Sequence, residues 1–457
     1  MSGPLALEPG GSDDTLALRL ADDRTMALRL PGRSSREDAV DALAAELTDR
    51  IGPAVHPYEV AALLESEGLA VEAVRNTYGH PDLFSLAAAL HERVPRSFPE
   101  QPRPADPWRP DHVRCALRGA LFALPGLAHL LTGPLWANGR GVAALIVAGL
   151  VSWAWGQALG HRAYLRLASG PRECGRTLLV GAPLGAVLAT AAGTAVAGPG
   201  PTALFVAGQS VYLAGAGVLL VLGRERLLLA ALVPVVVVAA VLPWWEPGVL
   251  ARAGMPLLSV LGTVGAAGWA LRGPLATAPA PGAARPRPVL SLPYGLFGLG
   301  AGVLVLTEGR HQPYAVVVLT VSMGLAEWLL YRYRGMSVAA LRATATPAGF
   351  RLRSAGILVL CLLAYLSPLV PAALLTGAEP VGLLLIAATL WTALLLQAFG
   401  TAWVPAVVCL AAAGAVGALT VTGTERNLLA LSLCHGAAAV VLGAWALRTL
   451  GRPSAHA

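Results

Sequence analysis

From about residue 115 to about 447 the chain is a succession of apolar stretches broken by short loops, and the loops alternate between arginine-rich and arginine-poor. About 20 apolar residues in a helix cross roughly 30 Å of hydrocarbon. Lipid offers backbone N–H and C=O groups no partner, so a spanning segment must be a helix or part of a closed barrel. Long, uniformly apolar stretches select the helix. Twelve are predicted, at approximately 116–133, 141–160, 177–198, 202–222, 227–244, 254–271, 289–307, 313–331, 355–375, 380–398, 402–421 and 428–447. Almost nothing polar separates the tenth from the eleventh. Charged residues make up only 13% of the 457, far below what a soluble surface of this size carries. The expected fold is all-α and polytopic, with about 12 transmembrane helices and a small, mainly helical N-terminal domain.

Twelve spans put both ends on one side. Loops and flanks on the N-terminal side hold 18 arginines, among them Arg114, Arg162, Arg172, Arg224, Arg332 and Arg448. Those on the other side hold four, Arg140, Arg252, Arg310 and Arg426. Basic residues in short loops stay cytoplasmic, so both termini are expected in the cytoplasm, with the chain in the cell membrane. A missed span would reverse the asymmetry after it. No lysine occurs among the 33 basic residues. With abundant Ala, Gly, Leu and Val, this composition points to a GC-rich bacterial genome.

The net charge of +7 conceals two opposite halves. Residues 1–110 carry 11 arginines against 18 acids, whereas the remainder carries 22 against 8. The basicity is a topology signal, and the acidic soluble part argues against nucleic-acid binding.

That soluble part divides into a flexible arm or hairpin (1–34), a helical domain (35–94) and a proline-rich linker (95–114), followed by the transmembrane domain (115–447) and a tail (448–457). Thr15–Leu20 and Thr25–Leu30 echo one another in strand-like alternation around Asp22 and Asp23. Ser35 with Asp38 approximates a capping box, opening a helix to about Ile51 with Val40, Leu43, Leu47 and Ile51 on one face. Further helices are expected near 57–67, 70–78 and 81–94, with Gly68 and Gly79 as C-cap glycines. Three short helices suit a helix-turn-helix, but the segment Val71–Asn76 is nearly neutral. Docking of a cytoplasmic protein partner through residues 35–94 is the preferred reading.

Ionisable side chains inside spans are costly and therefore mark candidate sites. Glu327 lies about one turn inside the arginine-rich end of the eighth span, as a pairing partner for an arginine or as a proton or cation site. His435 lies near the middle of the twelfth, as a hydrogen-bonded strut or a relay. Gln157 and Gln209 either cross-link helices or line a polar cavity. His129, near the far end of the first span, reads as interfacial. Pro125, Pro183, Pro234, Pro256, Pro293 and Pro368 interrupt spans. The five cysteines form no C-x-x-C pair and are expected as free thiols. No phosphate loop, H-E-x-x-H motif or Ser–Lys constellation is visible, so neither a cofactor, a metal nor an enzymatic activity is expected. The first forty residues carry no apolar leader core.

Gly149-Leu150-Val151-Ser152-Trp153 in the second span and Gly324-Leu325-Ala326-Glu327-Trp328 in the eighth share the pattern G-L-x-x-W, each before a basic loop. Pro125 and Pro293 also lie in corresponding spans. This suggests two six-helix bundles of parallel topology. The layout over 115–447 is similar to that of the multidrug/oligosaccharidyl-lipid/polysaccharide exporter superfamily, especially its polysaccharide-flippase branch. The segment Gly156–Tyr164 resembles the inner end of the second helix there. The resemblance implies alternating access between two bundles and export or flipping of a lipid-linked saccharide or another amphiphile in envelope biogenesis. The chain departs from the pattern in its cavity charge. Flippases for anionic lipid-linked sugars place several cations there, while Arg118 is the one arginine expected inside a span. The acidic N-terminal extension also lies outside that family's common core. The alternative reading is a non-transporting scaffold that recruits an envelope or division partner.

Overall fold

The computed structural model describes residues 36–97, 109–136, 139–198, 200–279, 282, 286–422 and 428–456. It divides into two units, Met1–Ala105 and Asp106–Ala457.

In the first unit the helices are Arg36–Glu46, Thr48–Ile51, Pro57–Ser66, Val71–Asn76 and Leu83–Arg93. The expected helix to Ile51 is broken at Leu47, whose backbone leaves the helical region. The predicted face nevertheless holds, because Val40, Leu43, Leu47 and Ile51 are all buried in one core with Leu64, Leu86 and Leu90. Gly68 and Gly79 have φ of +71° and +72°, which suits glycine after a helix end. A full capping box lies at Asp82 and Ser85. The predicted hairpin, the Ser35 cap and most of the proline-rich stretch fall outside the described residues.

In the second unit ten helices are long and apolar enough to cross a membrane: His112–Trp136, Gly139–Leu167, Pro171–Ala197, Thr202–Val221, Val249–Ala276, Pro288–Arg310, Pro313–Arg342, Pro347–Thr376, Pro380–Ala398 and Leu429–Leu450. Two shorter ones, Glu225–Val241 and Trp403–Val421, stand where the fifth and eleventh spans were expected. In chain order these are spans 1 to 12, and the chain is a multi-pass, all-helical membrane protein. Asp111, Thr346 and Glu379 cap spans 1, 9 and 10 by accepting backbone N–H bonds. Of the six prolines, Pro125 and Pro368 fall where spans 1 and 9 break into two helices. Pro183, Pro234 and Pro256 sit within continuous helices, and Pro293 lies in the first turn of the helix Leu292–His311.

Helix packing repeats between the halves. Among the first six, span 1 packs on 5, span 2 on 3 and 4, span 3 on 4 and 6, and span 6 on 4 and 5. Among the last six, span 7 packs on 11, span 8 on 9 and 10, span 9 on 10 and 12, and span 12 on 10 and 11. Adding six to each number of the first set gives the second, while span 1 also packs on 6 and span 7 on 8 and 10 without counterparts in the other half. The main apolar cores are separate, one around Leu178, Leu219 and Leu228, the other around Leu383, Trp391 and Leu442. Between the bundles, span 1 packs on span 8 and span 2 on span 7. These two pairings exchange under the same shift of six, as a two-fold relation between duplicated halves requires.

Candidate functional site

The facing helices of the two bundles meet closely at their arginine-rich ends. On spans 1 and 8, Gly119 and Gly324 let the backbones touch. A Cβ on Gly324 would lie 2.5 Å from the Cys115 carbonyl oxygen, and one on Gly119 would lie 2.9 Å from that of Val321. Charge closes the same crossing. Arg118 donates to Glu327 of span 8, and its Nη2 lies 2.8 Å from Oε1 of Glu225, at the start of span 5. Arg114 Nε meets that same oxygen at 2.8 Å. Two guanidinium groups thus face two carboxylates and the group is neutral as a set, which is how charge is tolerated at this depth. Trp328 Nε1 donates to His112 Nδ1 at 2.9 Å beside it.

The companion crossing of spans 2 and 7 is closed by rings. His161 stacks on Tyr294 with centroids 3.7 Å apart and lies 3.1 Å from the Ser291 hydroxyl. Gly295 and Gly298 rest against Ala154.

On the arginine-poor side of both crossings the bundles enclose a cleft of about 480 Å³. Its wall is aromatic and aliphatic, with Phe122, Trp153, Met323, Tyr365 and Trp391 among the lining residues. The lining includes no aspartate, glutamate or arginine. Its polar groups are His129, Gln157, Gln209, Thr320 and Tyr365. Four of these are already engaged: the Tyr365 hydroxyl lies 3.0 Å from that of Ser322, Thr320 donates to a backbone carbonyl, and His129 and Gln209 bond one another. Gln209 spans three elements. Its Oε1 is 2.9 Å from His129 Nε2, and its Nε2 donates to the Leu145 carbonyl at 3.0 Å.

Of the sequence candidates, Gln157 and Gln209 stand in the cleft wall and Glu327 in the ion-pair seal. His435 is elsewhere. It is 2% exposed in the core of the second bundle, where its carbonyl accepts from Thr389 of span 10. Neither ring nitrogen has a hydrogen-bond partner among the described residues. His129, expected to be interfacial, is exposed, bonded to Gln209 and part of the cleft lining. Glu225 was missed, and a signal for it existed: an arginine one turn inside a span needs an acid at the same depth. All five cysteines are free thiols, and no cluster of three or more metal-ligating side chains occurs among the described residues.

No protein-family model matches the chain, and no curated protein matches it. A solved crystal structure of MATE in complex with MaD5 is similar at 16% identity, over 75% of this chain and 98% of that one, with a TM-score of 0.43.

Proposed function

We propose that this protein is a transporter-like exporter or flippase that moves an amphiphile by alternating access between its two bundles. The observation that carries this reading is the cleft itself, free of carboxylate and guanidinium groups along its lining and stopped at one end by a cross-bundle ion pair. A seal of charges and small residues can part as a unit, whereas a continuous apolar core between the halves could not part without exposing large apolar area to water. The apolar wall favours an amphiphile over a free sugar. Its lack of arginine and lysine favours an uncharged headgroup over a phosphate-linked saccharide, since a buried phosphate needs paired charge. The substrate leaves chemically unchanged in this reading. The arginine asymmetry supports a bacterial cytoplasmic membrane with both termini inside, and envelope biogenesis is the setting that suits such a cargo.

The test is lipid flipping in proteoliposomes. An NBD-labelled monoglycosyl lipid is reconstituted with the protein, and dithionite reports the fraction reaching the outer leaflet. Flipping above protein-free vesicles, reduced several-fold by bulky substitution at Gln157, is expected. Rates equal to protein-free vesicles would overturn the proposal.

One observation favours the scaffold reading as a second possibility. On the acidic N-terminal domain, Tyr58 and Phe84 are 67% and 60% exposed and meet edge to face at 5.8 Å. A variant lacking residues 1–97 that flips lipid normally, yet fails to restore growth of a deletion strain, would support recruitment through that patch.

A further inference from the structure

Gln157 of span 2 is the polar side chain of the cleft lining that has no hydrogen-bond partner among the described residues. It is half-buried, and neither atom of its amide is closed off from the surface. Its N–H donors and its carbonyl are therefore open to a guest. The stem of the side chain is fixed across the bundle interface. A Cβ on Gly298 of span 7 would lie 2.9 Å from Gln157 Cγ and 3.2 Å from Trp153 Cδ1, so both side chains stand against one glycine. Trp153 lies one turn earlier on the same face of span 2. It lines the cleft, is 36% exposed, and Phe122 of span 1 leans on it with ring centroids 6.2 Å apart. The G-L-x-x-W echo gives Trp153 a counterpart in Trp328, and the residue one turn beyond that is Arg332. There the guanidinium lies over the indole, 5.7 Å from its centroid, and the indole N–H is occupied by His112. Neither Trp328 nor Arg332 lines the cleft. The first-half copy has an amide in place of the arginine, and its indole N–H has no partner among the described residues.

We infer that Trp153 and Gln157 form the headgroup subsite of the cleft and that its occupant is a neutral sugar: the ring lies on the Trp153 indole while adjacent hydroxyls bond the Gln157 amide. The inference rests on the proposed function for the amphiphile and names the headgroup for that same cleft; binding itself does not require transport. A carboxamide offers two donors and an acceptor, and each sugar hydroxyl offers both. The flat indole covers the C–H face of a sugar ring, which a bare glycerol head does not possess. An anionic head would find no arginine or lysine in the lining, and a cationic one no carboxylate. Span 2 also orients the guest. Gln157 is one turn from His161, which stacks on Tyr294 at the closed crossing, whereas Leu145, Ile146 and Leu150 line the cleft towards its arginine-poor end. The sugar thus sits at the floor, and the acyl chain runs towards the mouth.

The test uses the full chain in phosphatidylcholine nanodiscs, labelled with a diazirine-bearing monoglucosyl diacylglycerol and competed by the unlabelled glucosyl lipid, by diacylglycerol or by phosphatidylglycerol. The glucosyl lipid should compete at least about tenfold better than either of the others. Gln157→Leu should weaken it about three- to tenfold and leave diacylglycerol unchanged, so that the preference for the sugar falls. Trp153→Leu should act in the same way, while Trp153→Phe, which keeps a ring, retains most of the preference. A merely structural role would weaken both lipids together. Equal competition by the glucosyl lipid and diacylglycerol in wild type, or a preference unchanged in both Gln157→Leu and Trp153→Leu, would overturn the inference. Should either variant lose its thermal transition, the other variant and the wild-type preference decide. NBD-lipid flipping by the same preparations separates this inference from the transporter reading. A sugar preference without flipping by wild type defeats the transporter and leaves the subsite. Flipping by wild type without a sugar preference defeats the subsite and leaves the transporter.

Discussion

Arg118 is the residue on which the closed end of the cleft depends. Its side chain is 16% exposed and bridges Glu225 of the first bundle to Glu327 of the second. Arg118→Leu strands Glu327, and breaking a buried pair from one side costs about 3–5 kcal/mol. Partial exposure discounts that to about 2–3 kcal/mol here. Glu327→Gln should cost less, because Arg118 keeps Glu225. The order of the thermal midpoints in nanodiscs checks this, and equal midpoints for the two variants would refute it. His435 makes the opposite case. A buried imidazole with both nitrogens unpaired is expected to stabilise nothing, so His435→Leu should be neutral or stabilising by about 1 kcal/mol and should flip lipid normally. Loss of flipping at normal stability would restore it as a site.

His456, beyond span 12, shows a pH dependence whose sign can be worked out. Burial holds its imidazole below the ordinary value of 6.5, with the Leu450 carbonyl opposing and the nearby Arg334 charge reinforcing the shift. The ring lies edge-on to Phe350 and Phe399 at 5.3 and 5.0 Å. Its Nε2 lies 2.8 Å from the Leu450 carbonyl, while Nδ1 is buried without a partner among the described residues. The neutral form is therefore the docked one. The unfolded tail binds the proton more readily, so docking is fully present above about pH 6.5 and is lost as pH falls below it. Protection factors in the C-terminal tail, with the intrinsic base-catalysed rate divided out, should fall between pH 7 and pH 5 in wild type and lose that dependence in His456→Phe.

At the scale of elements, the informative features are crossings and breaks. Gly324→Ala puts a methyl 2.5 Å from a backbone oxygen of span 1, which no rotamer relieves. Overpacking of this kind costs about 1–3 kcal/mol, and here it acts on one interface between bundles. The expected outcome is a lowered midpoint with unchanged helix content by circular dichroism. In the N-terminal domain, Asp82→Ala removes a capping box and should destabilise its last helix by about 1 kcal/mol. The twelve apolar stretches were legible because hydropathy is a local property. The break in span 1 was suggested by Pro125, yet Pro183, Pro234 and Pro256 have the same local signature and break nothing. Whether a proline opens a helix depends on what neighbouring helices offer the freed carbonyl.

At the scale of the molecule, the duplicated packing pattern makes the seal a hinge-like contact between two similar bodies. Spin labels at Val113→Cys and Arg332→Cys, near the arginine-rich ends of spans 1 and 8, report its state by pulsed electron–electron resonance. Wild type should give a short, narrow distance. Glu327→Gln should add a longer population, because the charge bridge between bundles is gone while the one inside the first bundle remains. A distribution identical to wild type would mean that the ion pair does not hold the halves together.

The amino-acid sequence by itself determined the number of apolar stretches, the arginine asymmetry, the acid balance of the N-terminal domain and the buried face around Val40, Leu43 and Leu47. Each is set within one element or by its flanks. The weak G-L-x-x-W echo was as much of the duplication as one dimension could carry. Only the tertiary structure decided that Glu327 belongs to a seal, that His435 is buried against Thr389 of span 10, and that His129 meets Gln209. Each of those outcomes depends on a partner between 46 and 209 residues away in the chain. In a medium where every helix is apolar on most faces, hydropathy says that a residue is in the membrane and nothing about which neighbour it meets.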